Sequence, residues 1–181
     1  MNLILEKFNV IGFWAINNLA GHFNGLDLFM VFLAKWLGYV LILYILWQAW
    51  KSINFKNYII LTIGSAIIAR FVLVELIRYF IYSPRPFTIL ENVNQLLAHE
   101  PTSSFPSGHV SFFFGLAFGS YFLNKKTGSW LLVLAGLIGV ARVYVGIHWP
   151  LDIIAGAVLG WATAFLLNKV LARFQGKRRW K

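Results

Sequence analysis

The chain has no cysteine, which excludes a disulfide framework, a thiol nucleophile and a cysteine-based zinc site. Charge is scarce as well. Only 12% of the 181 residues are Asp, Glu, Lys or Arg, against roughly a quarter in a soluble domain. Acidic residues are the rarest, six against 16 Lys and Arg, so no Asp/Glu cluster offers the oxygen ligands that a hard cation such as Mg²⁺ wants. Apolar residues fill the chain instead: 59% hydrophobic, 18% aromatic, with a mean hydropathy of +0.70. That content excludes a disordered polypeptide. The net charge of +10 alone would suit a nucleic-acid binder, but the hydropathy argues against nucleic acid as a partner. The composition is that of an integral membrane protein.

Crossing ~30 Å of hydrocarbon takes ~20 mostly apolar helical residues. Five stretches qualify, at about 26–50, 57–82, 107–124, 129–145 and 150–173. The second carries Arg70, Glu75 and Arg78, and Arg70 reads as a partner within the bundle or a snorkelling side chain. In residues 1–25, Phe8, Ile11 and Ala15 recur at helical spacing while Glu6, Lys7, Asn17 and Asn18 crowd a short segment. The pattern suits an amphipathic helix at the membrane interface. The expected fold is therefore all-α: a membrane bundle of about five transmembrane helices plus an N-terminal interfacial helix. No repeat or linker divides it, so residues 1–181 read as a single domain, ending in a basic tail over 174–181. Ala155, Gly156, Ala157, Gly160 and Ala162 on the last span suit close helix packing.

With five spans, Lys51, Lys56, Lys125, Lys126 and the tail residues Arg173, Lys177, Arg178, Arg179 and Lys181 share one side. The positive-inside rule places that side in the cytoplasm. The segments 83–106 and 145–150 then face outward. Trp47, Trp50 and Trp130 border the cytoplasmic loops and Trp149 the outer one, as an aromatic belt would. The tail reads as a topological anchor in contact with anionic lipid.

Three clusters meet at the outer face: Arg78 to Pro86, Pro106-Ser107-Gly108-His109, and Arg142 to Asp152. Ionisable groups at membrane depth are expensive and mark functional cavities. Three arginines point to an anion, because a guanidinium fork matches phosphate oxygens and stays charged. Ser107 reads as a helix N-cap, and the helix N-terminus behind it would cradle an anion. Gly108 lets the backbone approach closely. His148 and Asp152, four apart at a helix start, can meet on one face. That pairing makes His148 the nucleophile, Asp152 its orienting partner and His109 the general acid. The arginines would replace a metal. His99 and Glu100 read as solvated loop residues.

These residues resemble the type-2 phosphatidic acid phosphatase superfamily, whose pattern is Lys-x6-Arg-Pro, Pro-Ser-Gly-His and Ser-Arg-x5-His-x3-Asp. Here it reads Arg78-x6-Arg85-Pro86, Pro106-Ser107-Gly108-His109 and Ala141-Arg142-x5-His148-x3-Asp152. The resemblance implies that Arg78, Arg85, Ser107, Gly108 and Arg142 hold the phosphate. It also implies that His148 becomes phosphohistidine, that His109 is the acid, and that no metal or other cofactor is needed. Arg78 for Lys keeps the charge but changes its reach, and Ala141 for Ser removes a hydroxyl. The Ser83-Pro-Arg-Pro-Phe87 stretch and the run Ser103 to His109 look like bacterial undecaprenyl diphosphatases of the bacitracin-resistance type. Phosphatidylglycerophosphate, phosphatidic acid and lipid A phosphatases share the motifs. A lipid-phosphate binder or translocator without turnover is the alternative of another class.

Overall fold

A computed structural model describes residues 3–178, with side chains for 6–174. Most of the 174–181 tail, including Arg179 and Lys181, lies outside the described residues or side chains. All regular structure among the described residues is helical: α1 (Leu3–Asn17), α2 (Asn24–Lys35), α3 (Leu37–Lys51), α4 (Phe55–Phe80), α5 (Pro86–Ile89), α6 (Gly108–Leu123), α7 (Lys125–Tyr144) and α8 (Pro150–Arg178). Helices α4, α7 and α8 are each long and apolar enough to cross a membrane, and α2 with α3 makes a fourth crossing if the bent pair counts as one. Helix α6 has 16 residues, about 24 Å at 1.5 Å per residue. All five expected stretches are thus helical, but only three have uninterrupted spanning length.

The first expected span breaks at Trp36, where α2 and α3 diverge by 46°. No proline or glycine sits at the break itself. A helix leaves its last four carbonyls without intrahelical donors, and the Ala34 carbonyl near the end of α2 accepts from Arg142 Nη1 at 3.3 Å. Beyond the break, the Phe113 ring from α6 packs directly on Gly38, leaving no room for a Cβ. A side chain entering the helical ladder is a recognised cause of a kink, and here that side chain is an arginine of the site.

Helix α4 stays helical across its length but widens to π geometry over Ile60–Gly64 and Ile68–Leu73. Thr62 and Ser65 donate back to the Tyr58 and Leu61 carbonyls at 2.7 and 2.6 Å, the kind of back-bonding that bends membrane helices.

Helix α6 lies among α4, α7 and α8. Its packing uses small residues. A Cβ on Gly160 of α8 would meet the Ser111 carbonyl oxygen at 2.8 Å, and one on Gly156 would meet the Ser107 oxygen at 2.9 Å. Gly119 faces the α4 backbone at Leu61 equally closely. Without a hydrophobic force between helices in lipid, such backbone approach is what supplies van der Waals contact.

Helix α1 docks on the beginning of α8. Asn9 Oδ1 accepts from the Leu151 N–H at 2.9 Å, satisfying one of the orphan donors of that helix start. Asn17 is fully buried and donates to the Asn94 and Tyr144 carbonyls at 3.0 and 2.8 Å. Asn17 thereby clamps the end of α1 to α7 and to the 81–107 loop.

Candidate active site

The site lies where α4 and α7 end and α6 and α8 begin. Gly146, with φ +84°, turns the chain between α7 and α8. A side chain there would be strained and would also press within 2.9 Å of the Asn94 carbonyl oxygen. This turn delivers His148, which is 1% exposed, as is Asp152 one helical turn later.

His148 Nδ1 lies 3.1 Å from Asp152 Oδ2. The same carboxylate oxygen accepts from the Trp149 N–H at 2.8 Å and from the Ser104 hydroxyl. Ser104 Oγ also stands 3.2 Å from His148 Nδ1. A proton on Nδ1 facing Asp152 leaves Nε2 unprotonated. That edge faces Arg85, whose Nη1 lies 3.4 Å from Nε2 and can donate to it. Burial, and then the fields of Arg142 and Arg85, hold His148 well below its usual pKa. A neutral ring with an unprotonated Nε2 is what nucleophilic attack requires.

The arginines come from three segments. Arg85 is 1% exposed and donates to the carbonyls of Ile147, Thr102 and Ser103 at 2.9, 3.0 and 3.2 Å. It thereby ties the long loop to the His148 turn. Burial, followed by Arg78, lowers its pKa to about 10, which leaves it charged at neutral pH. Arg78 donates through Nη2 to the Pro106 carbonyl at 3.0 Å, and Arg142, near the end of α7, is anchored on Ala34.

Three buried side-chain polar atoms among the described residues lack any protein partner: Arg78 Nε, Arg142 Nε and Ser107 Oγ. An unpaired buried donor costs about 1–3 kcal/mol, and all three belong to the residues expected to hold phosphate. Ser107 occupies the expected N-cap position of α6, although its side chain makes no capping bond; its backbone N–H donates to the Asp152 carbonyl at 3.1 Å.

His109, on the first turn of α6, opens onto a cavity of about 310 Å³ whose wall, drawn mainly from α2, α3, α4 and α6, is largely apolar but includes Lys35 and Arg70. Trp149 departs from expectation. It is only 5% exposed and donates from Nε1 to the Pro84 carbonyl at 2.9 Å, so it packs the site instead of joining an aromatic belt.

Three further residues stand at the candidate site, and sequence reasoning missed two of them, Ser104 and His99. Ser104 carries only the signal of its place in a serine-rich run. His99 is half-buried, its ring centroid 6.5 Å from that of His148, and burial lowers its pKa. Arg70 lies against Gly108 and rims the cavity beside His109, while also pairing with Glu75. One arrangement brings all three there. The 81–107 segment folds back into the bundle, so that α6 begins at the level of Arg70 instead of at the end of α4.

Fold and site together define a membrane-embedded lipid phosphatase. Residues 57–175 match the PAP2 superfamily model, and the chain belongs to that superfamily. It is 37% identical over 166 residues to the bacitracin transport permease protein BcrC of Bacillus licheniformis, covering 90% of this chain and 80% of that one. It is 34% identical to the undecaprenyl-diphosphatase BcrC of Bacillus subtilis, covering 85% and 79%. Among solved structures it superposes on Aquifex aeolicus LpxE with a TM-score of 0.73 at 32% identity, over 89% of this chain and 94% of that one. A phosphatidylglycerolphosphate phosphatase from Bacillus subtilis, at 23% identity and a TM-score of 0.67, shares the fold over 95% of this chain and 88% of its own.

Proposed function

We propose that the chain is an undecaprenyl diphosphatase, hydrolysing the terminal phosphate of the lipid diphosphate at the extracytoplasmic face. The observation that carries the reading is the buried Ser104–Asp152–His148 network with Nε2 turned toward Arg85. The names of the Bacillus subtilis relative and of a 36% identical undecaprenyl-diphosphatase from Sulfolobus acidocaldarius support the choice of substrate.

In the first step His148 Nε2 forms a bond to the terminal phosphorus while the bond from phosphorus to the bridging oxygen breaks. The departing lipid monophosphate takes its electron pair and a proton from His109. Arg78, Arg85, Arg142, the Ser107 hydroxyl and the N–H groups at the start of α6, beside Gly108, receive the charge spread over the equatorial oxygens. Asp152 stabilises the imidazolium as it forms. Water then attacks the phosphohistidine, giving its proton to His109 and releasing inorganic phosphate. The lipid chain leaves the site along the apolar part of the cavity beside His109. Phosphatidic acid, phosphatidylglycerophosphate and lipid A are the competing substrates in a panel.

A binding or translocating protein, as the name of the Bacillus licheniformis relative suggests, would need the arginines but not an oriented imidazole–carboxylate pair. Phosphate release from undecaprenyl diphosphate in detergent decides between the two. His148→Ala is expected to lower kcat at least about a thousandfold and His109→Ala about 10²–10⁴-fold. Near-wild-type release from both variants would overturn the assigned roles. Because arginines supply the positive charge, turnover is expected to survive EDTA and to be inhibited competitively by vanadate. A strict Mg²⁺ requirement would contradict this.

A further inference from the structure

The cavity beside His109 is not purely apolar. Arg70 and Lys35 sit on its wall. The Arg70 side chain lies flat over Gly108, its Nε, Cδ and Cζ being the nearest atoms that a Cβ there would meet. Its one recorded acceptor is Glu75, which is 52% exposed and also lies 3.9 Å from Arg78 Nη1. One carboxylate thus serves two arginines, and Lys35 adds a third cation with no acidic partner recorded among the described residues. Cations at membrane depth are costly unless they face a counter-charge.

His109 identifies the side of the reaction on which this charge lies. The group that protonates the departing oxygen stands next to the leaving group, and His109 lines this cavity while His148 does not. For a lipid monophosphate the leaving group is an alcohol, which needs no cations. For a lipid diphosphate it is a phosphate monoester that carries negative charge immediately beyond the bridging oxygen. We propose that Arg70, assisted by Lys35, binds this retained phosphate and so sets a preference for lipid diphosphates over lipid monophosphates. The inference rests on the phosphatase reading above and extends it to a second phosphate subsite.

The test compares a polyprenyl diphosphate with the monophosphate of the same chain, measured as kcat/KM from inorganic phosphate release in detergent. Arg70→Gln is expected to lower the diphosphate-to-monophosphate ratio at least about tenfold, the usual scale for losing a hydrogen bond to a charged group. Arg70→Lys should retain most of the ratio. Lys35 is exposed, so Lys35→Gln tests the subsite without touching the fold and should lower the ratio several-fold. A ratio within twofold of wild type in both Arg70→Gln and Lys35→Gln, with the wild type active on diphosphate, overturns the subsite alone. A wild type that hydrolyses the monophosphate but not the diphosphate overturns the substrate reading and the subsite with it.

Discussion

Asp152 Oδ2 is in reach of three donors, the His148 ring, the Trp149 amide and the Ser104 hydroxyl, which together orient the proposed nucleophile. Ser104 contacts His148 through Nδ1 and not through the Nε2 proposed to react, so its proposed role is positioning. Ser104→Ala removes one buried hydrogen bond, about 1–3 kcal/mol, and is expected to lower kcat roughly 5- to 150-fold with little change in KM. A rise in KM at constant kcat would show instead that Ser104 binds substrate. The pH dependence belongs to the same scale. Burial, followed by Arg142, Arg85 and Arg78, depresses the His148 pKa below 6.5, so the ring stays neutral into more acid solution, and reactivity is lost only as pH falls through that depressed value. The acidic limb of kcat/KM, which reports the free enzyme, should therefore lie below pH 6.5, and a limb at or above that value would contradict the burial argument. The linked effect on folding has the same sign. Between the depressed pKa and the unfolded one, the unfolded chain binds more protons, so His148 adds stability as pH rises and withdraws it as pH falls.

At the scale of elements, the legible and illegible parts of the site separate by how they are encoded. His148 and Asp152 are four apart across a helix start, a spacing that suggests their meeting, although His148 lies in the turn just before Pro150, where Gly146 delivers it. Arg78, Arg85 and Arg142 are legible because charge within apolar runs has few structural explanations, and Ser107 is legible from its place in the Pro106-Ser107-Gly108-His109 run. The break at Trp36 is not legible, since the contact beside it comes from Arg142, 108 residues away from the Ala34 carbonyl that accepts from it. Ser104 and the burial of His99 escape for a related reason. The 81–107 loop has no period to read, and its inward path is set by Arg85 bonding to Thr102 and Ser103. Small-residue packing, by contrast, is visible in sequence and decisive in the fold. Gly160→Val on α8 would force a branched side chain against the α6 backbone at Ser111 and Gly115. Overpacking of this kind costs typically about 1–3 kcal/mol, and the melting temperature in detergent should fall accordingly. Gly136 on α7 has nothing within 4 Å of its Cβ position, so Gly136→Ala should leave it unchanged. Equal melting temperatures for the two variants would refute the close approach of α6 and α8.

For the whole molecule, the two ends of the bundle differ in chemistry. One end collects the α4–α6 and α7–α8 connections, with the buried arginines and histidines between them. At the other, Lys51, Asn54, Asn124 and Thr127 line a common depression, so the basic connections 51–56 and 124–127 meet there, flanked by exposed Trp47, Trp50 and Trp130. Helix α8 starts at the site, and the basic tail follows from its far end. Lysine and arginine excess in short loops holds a membrane protein's orientation because positive loops are retained in the cytoplasm. That retention would place the site on the extracytoplasmic side. The absence of cysteine makes this directly measurable with single introduced thiols. Glu91 lies exposed in the loop at the site end and Lys126 at the opposite end. In intact cells a membrane-impermeant maleimide should label Glu91→Cys, and it should reach Lys126→Cys only after the membrane is permeabilised. The reverse pattern would put the arginine-lined pocket in the cytoplasm and require a substrate whose phosphate is exposed there.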